Sequence, residues 1–200
     1  MQELRRFTPT PCSAFRCIVI DPPWKYKTTM AVTGNAPGRT RQNGRSGTPY
    51  ATMTIAEIHA LPIAKLADQN ECHLFLWTTK DHLKYAWGII ESWGFDYKNI
   101  LTWCKNPKGM IGFGKINGGT TEFVVYAQLG KNSMPKARTD RAWWNWPRSK
   151  HSAKPEAFQD IVESITPEPR LEMFARRKRL GWASWGNEIA NDVEMPNDRS

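Results

Sequence analysis

Short apolar runs and segments with helical periodicity alternate along most of the chain, which predicts a fold of alternating strands and helices. Runs rich in β-branched and aromatic residues predict buried strands over 16–20, 72–78, 97–104, 121–128, 171–175 and 182–185. Apolar positions at helical spacing predict a helix over 81–93, with Gly94 at its C-terminal end. A helix from the Thr54–Glu57 capping box to Pro62, and another over 155–165, complete the pattern.

This order predicts an α/β fold, a mostly parallel sheet with helices on both faces. Right-handed crossovers would place functional residues at the carboxyl ends of the strands. The length of 200 residues suits one domain spanning 1–200. We expect an N-terminal arm over 1–15, a mobile substrate loop over 25–49 and a frayed tail over 191–200, because these segments are polar or lack periodicity.

Composition excludes several classes of protein. With 40% hydrophobic and 24% charged residues the chain is typical of a globular protein, and no apolar stretch reaches the roughly 18–20 residues of a membrane helix. The N-terminus lacks the apolar centre of a signal peptide. The four cysteines and four histidines show no ligand spacing, so we predict no metal and reduced cytoplasmic thiols.

The charge distribution indicates a polyanionic partner, because the net charge is +9 and the cations are clustered. Residues 25–49 hold five cations and no acid, and residues 131–154 hold seven cations against Asp140. Three tryptophans, at positions 143, 144 and 146, lie in the second segment. Cations attract phosphates and aromatic faces stack on bases, so we expect nucleic-acid contact there through Arg138, Arg141 and Lys150. Alternatively, some of these tryptophans belong to the core.

The most specific signal is Asp21-Pro22-Pro23-Trp24, directly after the first predicted strand. A purely structural interpretation is that the two prolines end the strand. The functional interpretation is that this segment binds the exocyclic amine of a base. The Asp21 carboxylate and the Pro22 carbonyl would accept its two N–H bonds and aim the nitrogen lone pair, while Trp24 would stack on the base.

Such an amine is a weak nucleophile and needs a reactive methyl donor, for which S-adenosylmethionine is the expected cofactor. The hypothesis requires that the cofactor lies at the mouth of the first strand. It also requires that internal salt bridges do not occupy the Asp21 carboxylate.

The chain resembles the eukaryotic mRNA adenosine N6-methyltransferase family and its bacterial and phage relatives. The motifs that carry the resemblance occur in family order: 19–24 (VIDPPW), 50–53 (YATM), 74–77 (LFLW), 120–122 (TTE), 152–156 (SAKPE), 172–176 (EMFAR) and 186–188 (GNE). The resemblance implies a Rossmann-like class I methyltransferase fold with the catalytic motif before the cofactor motif. It also implies a prokaryotic or phage-like intracellular enzyme that uses S-adenosylmethionine.

The resemblance further implies roles for single residues. The predicted cofactor ligands are Asp21, Lys154, Arg176, Lys178, Asn187 and Glu188, and the predicted base-pocket residues are Tyr50 and Glu122. At Lys178 and Arg179 many relatives carry His-Asn, so a cation replaces the family residue at position 178. In its compact size the chain resembles the bacterial or phage members, for which DNA is the usual substrate, so the resemblance favours DNA over RNA. RNA methylation, cytosine N4 methylation and an inactive nucleic-acid-binding relative remain alternatives, and monomer and dimer are both open.

Overall fold

The computed structural model describes residues 14–25, 51–105, 120–131, 134–147 and 153–196. The strands are β1 Cys17–Ile20, β2 Cys72–Thr78, β3 Asp96–Lys105, β4 Thr121–Leu129, β5 Trp143–Trp146, β6 Arg170–Met173 and β7 Trp182–Trp185. The helices are α1 Ile55–His59, α2 Ile63–Leu66, α3 Leu83–Ser92 and α4 Glu156–Ile165. Tyr50, Lys150 and nearly all of the arm over 1–15 and the loop over 25–49 lie outside the described residues.

The described strands form one sheet in the order β5-β3-β4-β2-β1-β6-β7. Strand β4 runs antiparallel to both of its neighbours, β2 and β3, while the other neighbouring pairs are parallel. The predicted α/β class with a mostly parallel sheet is therefore confirmed.

Helices cover both faces of this sheet, so the central strands are buried on both sides. On one face, α1, α2 and α3 contribute Ile58, Ile63 and Ile89 to a core cluster with Leu74 and Leu76 of β2. On the other face, α4 contributes apolar residues to a second cluster with the alternate residues of the same strands, among them Phe158, Val162, Phe75 and Trp77. None of the helices in the described ranges is both long and apolar enough to cross a bilayer.

Two sequence-based predictions need correction. The Trp-rich segment, predicted as a loop, forms strand β5 in parallel register with β3, from Thr102–Trp143 to Lys105–Trp146. The tail, predicted to be frayed over 191–200, is held in place over 191–196. There the Asp192 N–H donates to the Ser184 carbonyl at 2.9 Å, and two apolar side chains of the segment pack against the first core cluster.

Strand direction decides where the functional residues meet. Strands β1, β2, β6 and β7 are mutually parallel, so they end at one edge of the sheet. Because β4 is antiparallel to β2, it begins at this edge, and β3 ends there. Asp21 after β1, Glu122 on β4, Phe174 after β6 and Asn187 after β7 consequently share one edge.

Candidate active site

A cavity of about 230 Å³ opens at this edge of the sheet. Its walls come from the ends of five strands and the segment before α4. The lining includes Asp21, Pro22, Pro23, Trp24, Glu122, Lys154, Phe174, Arg176, Asn187 and Glu188. A neighbouring cavity of about 120 Å³ shares Asp21, Lys154, Phe174 and Arg176 with the first. The fold thus brings together most residues that the sequence assigned to catalysis and cofactor binding.

Backbone hydrogen bonds fix the conformation of the Asp21–Trp24 segment. The Pro22 carbonyl accepts from the Trp24 N–H at 2.8 Å, and the Pro23 carbonyl accepts from the Met53 N–H at 2.8 Å. The Lys25 N–H donates in turn to the Met53 carbonyl at 3.1 Å. The Pro22 carbonyl, the predicted second acceptor for an amine, thus already accepts one internal bond, and its other lone pair remains for a ligand.

The Trp24 ring, for which the sequence predicted stacking on a base, lines the cavity but is mostly enclosed by the core. Its residue is only 5% exposed, and its indole N–H donates to the Trp77 carbonyl at 3.0 Å. Its ring stacks on His82 with centroids 5.0 Å apart, and His82 Nε2 lies 3.1 Å from the Lys25 carbonyl oxygen. Trp24 therefore anchors the Asp21–Trp24 segment to the core. Sequence reasoning missed His82 because it lies outside every motif.

Four charged side chains form an array of alternating sign at the cavity, and three of them, Asp21, Lys154 and Glu122, line its wall. Lys154 Nζ lies 2.7 Å from Asp21 Oδ2 and 3.3 Å from Glu122 Oε2, and Lys105 also pairs with Glu122. The Lys154 ammonium lies 5.2 Å from the centroid of the Trp77 ring. Burial alone would lower the pKa of Lys154, but the two carboxylates together raise it, so the lysine is held as a cation.

This arrangement contradicts the requirement that no internal salt bridge occupies Asp21. In the described part of the chain, Lys154 contacts the Asp21 carboxylate through Oδ2, and the Asp21 side chain stays 32% exposed at the cavity wall. The ion pair therefore orients the carboxylate instead of removing it from the cavity. It also places Lys154, predicted as a cofactor ligand, between Asp21 and Glu122.

The turns after β6 and β7 both line the cavity and contact each other through backbone atoms. Phe174 adopts φ 59°, a left-handed conformation that costs a non-glycine residue about 1–3 kcal/mol. The Ala175 N–H donates to the Trp185 carbonyl at 2.9 Å, and a Cβ at Gly186 would lie 2.1 Å from the Ala175 oxygen. Only glycine allows this approach, which sets the position of the following Asn187 and Glu188.

Two acceptors from the C-terminal segment hold the turn that carries Asn187 and Glu188. Asn191 Oδ1 accepts from the Gly186 N–H at 2.7 Å, and Asp192 Oδ2 accepts from the Ser184 N–H at 2.9 Å. Lys178 Nζ lies 2.5 Å from the same Asp192 oxygen and does not line either cavity. The structure thus gives Lys178 a partner other than the predicted cofactor. The adjacent Asn191 and Asp192 are residue types that favour backbone turns, and this pattern could have indicated that the segment accepts backbone hydrogen bonds.

Glu172, on β6, is a further ionisable residue that sequence reasoning left without a site role. It lines the smaller cavity and accepts a hydrogen bond from Gln159 Nε2 at 2.6 Å. Burial raises the pKa of Glu172 to about 7, although Arg177 and the Gln159 hydrogen bond oppose this. The signal in the sequence was a single acid inside an apolar strand, since an unpaired buried acid is costly.

The other predicted site residues lie in different places. Arg176 Nε is 3.7 Å from Glu188 Oε1, so these two cavity residues form a pair. Arg138 and Arg141 are exposed and do not line the cavities, and Arg141 Nη2 lies 2.6 Å from Asp140 Oδ2.

Known methyltransferases are similar to this chain in sequence. A Type II methyltransferase, M.MunI, from Mycoplasma sp is 31% identical over 95% of this chain and 84% of that protein. The human N(6)-adenine-specific methyltransferase METTL4 is 27% identical over 94% of this chain and 39% of its own length. An N6-methyladenosine RNA methyltransferase, MTA1, from Pyricularia oryzae is 27% identical over 98% of this chain and 53% of its own length. Residues 15–188 match the MT-A70 family, and the chain therefore belongs to that family.

Proposed function

We propose that this chain transfers a methyl group from S-adenosylmethionine to the exocyclic N6 amine of adenine in DNA. The observation that carries the proposal is one cavity lined by the Asp21–Trp24 segment together with Arg176, Asn187 and Glu188. The names of the relatives, which include adenine-specific and Type II methyltransferases, support the same activity.

The chemistry of the lining residues fits this cofactor. Glu188 carries a carboxylate that can accept from both ribose hydroxyls, and the adjacent Asn187 amide can both donate and accept. Arg176 can meet a carboxylate, while Asp21 can meet an ammonium group or an amine. Methyl transfer needs no covalent bond to the protein, so S-adenosylmethionine would supply an activated methyl and the chain would supply position and charge.

Asp21 is the residue assigned to the reacting amine. An adenine amine has its lone pair delocalised into the ring, and accepting its N–H bonds would draw that pair back onto nitrogen. Positive charge that develops on the nitrogen would be stabilised by the fixed Asp21 carboxylate. Lys154 holds that carboxylate in place before substrate arrives, at 2.7 Å, which reduces the reorganisation needed at the moment of reaction.

RNA is the second candidate substrate, because the MTA1 relative is named as an RNA methyltransferase. The test is transfer of labelled methyl from S-adenosylmethionine to DNA and RNA strands of identical sequence, followed by nucleoside analysis. We expect N6-methyladenine in DNA. Label only in RNA would support the second candidate, label at cytosine N4 would move the chemistry to a different base, and no label in any strand would contradict the proposal.

A further inference from the structure

Strand β5 separates its three tryptophans into two groups. Trp144 and Trp146 stack on each other with centroids 5.4 Å apart and an interplanar angle of 5°, and both pack against the second core cluster. Trp143 is 54% exposed. Because alternate residues of a strand point to opposite faces, Trp143 faces away from that cluster. The sequence could not distinguish these roles, since the three residues are nearly adjacent.

One cation, Arg141, which also pairs with Asp140, lies beside the exposed ring. The Arg141 guanidinium lies 6.0 Å from the Trp143 ring centroid, and Lys136 and Arg138 of the preceding segment are exposed. An exposed aromatic ring with a cation beside it offers a flat face for stacking and an attraction for negative charge. Its charged surroundings fit a polyanion with flat groups that stack, and nucleic acid has both properties.

The position of β5 relates this ring to the catalytic edge. Trp143 is paired in register with Thr102, and the next residue of β3, Trp103, is paired with Glu122 of the cavity wall. Four strand spacings separate β5 from β1 in the sheet order, so the two strands lie about 19 Å apart at about 4.8 Å per spacing. At this separation the Trp143 ring is too far from Asp21 to contact the base that reacts there.

From this placement we infer that Trp143 is a stacking platform for an unpaired base that flanks the target adenine on single-stranded DNA. This inference rests on the proposed function, because it adds a contact for the same substrate beyond the cavity. A base that stacks on Trp143 would hold the strand across the sheet edge while the target base enters the cavity. Stacking does not depend on base identity, so the platform would raise affinity for any sequence.

The test uses the full chain and a labelled single-stranded oligo(dT), which contains no adenine, with binding followed by fluorescence anisotropy. Trp143→Ala should raise the dissociation constant about 5- to 150-fold. The salt dependence of binding should stay the same, because no charge is removed. Trp143→Phe, which keeps an aromatic face, should remain within about 3-fold of the parent chain.

Tyr97→Ala is the matched control, because Tyr97 is an exposed aromatic at the opposite end of β3, 41% accessible. Equal weakening by Trp143→Ala and Tyr97→Ala, or no weakening by Trp143→Ala, would overturn the platform. So would a change in oligomeric state with unchanged DNA affinity, since Trp143 would then face a second copy of the chain. If Trp143→Ala weakens oligo(dT) binding while no strand becomes methylated, the proposed function fails and the platform stands.

Discussion

A buried acid at the smaller cavity should cost this protein stability at neutral and alkaline pH. Burial raises the pKa of Glu172 from 4.5 to about 7, so the folded state holds its proton more tightly than the unfolded state does. Stability contributed by the protonated form is complete below pH 4.5 and is lost as the pH rises toward 7. Each pKa unit corresponds to about 1.4 kcal/mol, which places the full cost at about 3 kcal/mol.

Glu172→Gln removes the titration while keeping the size of the side chain and a hydrogen-bond acceptor for Gln159. At pH 8 this variant should be more stable than the parent chain by about 3 kcal/mol, and at pH 5 by less than about 1 kcal/mol. With a urea m-value of about 2 kcal/mol/M, the midpoint should rise by about 1.5 M at pH 8. Urea unfolding followed by circular dichroism at the two pH values measures both differences.

Glu163→Gln is the control of opposite sign. Glu163 on α4 accepts from Arg179 Nε at 2.6 Å and from Trp182 Nε1 at 2.6 Å. The Arg179 hydrogen bond, followed by smaller contributions, lowers the pKa of Glu163. Its replacement should therefore destabilise the protein at neutral pH and lose this effect as the pH falls through its folded pKa. The reasoning would be refuted if Glu172→Gln gave the same difference at pH 5 and pH 8, or no gain at pH 8.

Three further substitutions test other contacts at the site. Lys154→Met leaves the Asp21 and Glu122 carboxylates without their shared cation and should lower stability at pH 7. The expected loss is limited to about 1–3 kcal/mol because the Lys154 side chain is only partly buried. An unchanged urea midpoint would contradict the array of alternating charges. Asn191→Ala should weaken S-adenosylmethionine binding about 5- to 10-fold in calorimetry through the loss of one hydrogen bond to the turn, and an unchanged affinity would remove its positioning role. Gly186→Ala should cost about 1–3 kcal/mol by overpacking, whereas the control Gly88→Ala, whose added Cβ meets nothing nearer than 3.9 Å, should not reduce the melting temperature.

The sequence was informative where one short segment carries the signal. Strand β1 and Asp21 are contiguous, so the run of apolar residues followed by Asp-Pro-Pro-Trp predicted both the strand and the site at its end. The capping box at Thr54 and the left-handed Gly94, with φ 81°, are local features of the same kind, and both occur as predicted. Local hydrogen bonding and backbone sterics decide such features, and the sequence shows them directly.

Features that depend on distant pairing could not be predicted in this way. The contact of Lys154 with Asp21 joins residues 133 positions apart, and it exists only because β1 and the segment before α4 end at the same edge. Trp24 looked like a stacking residue because nothing near it in sequence indicates that His82 and Trp77 enclose it. Strand β5 was missed since its pairing with β3 outweighs the polar, basic composition of the segment around it.

Single-turnover transfer by Asp21→Asn tests the central claim most directly, because this substitution keeps the shape of the side chain and removes its charge. With a labelled cofactor at a concentration that saturates both the parent chain and the variant, and with adenine-containing DNA, we expect the rate to fall about 10²- to 10³-fold while DNA affinity stays within a few-fold of the parent chain. The control Asp96→Asn, at a side chain that is 87% exposed on β3, should transfer methyl at the parent rate. A variant with asparagine at position 21 that still methylates at the parent rate would contradict the assignment of Asp21 to the reacting amine.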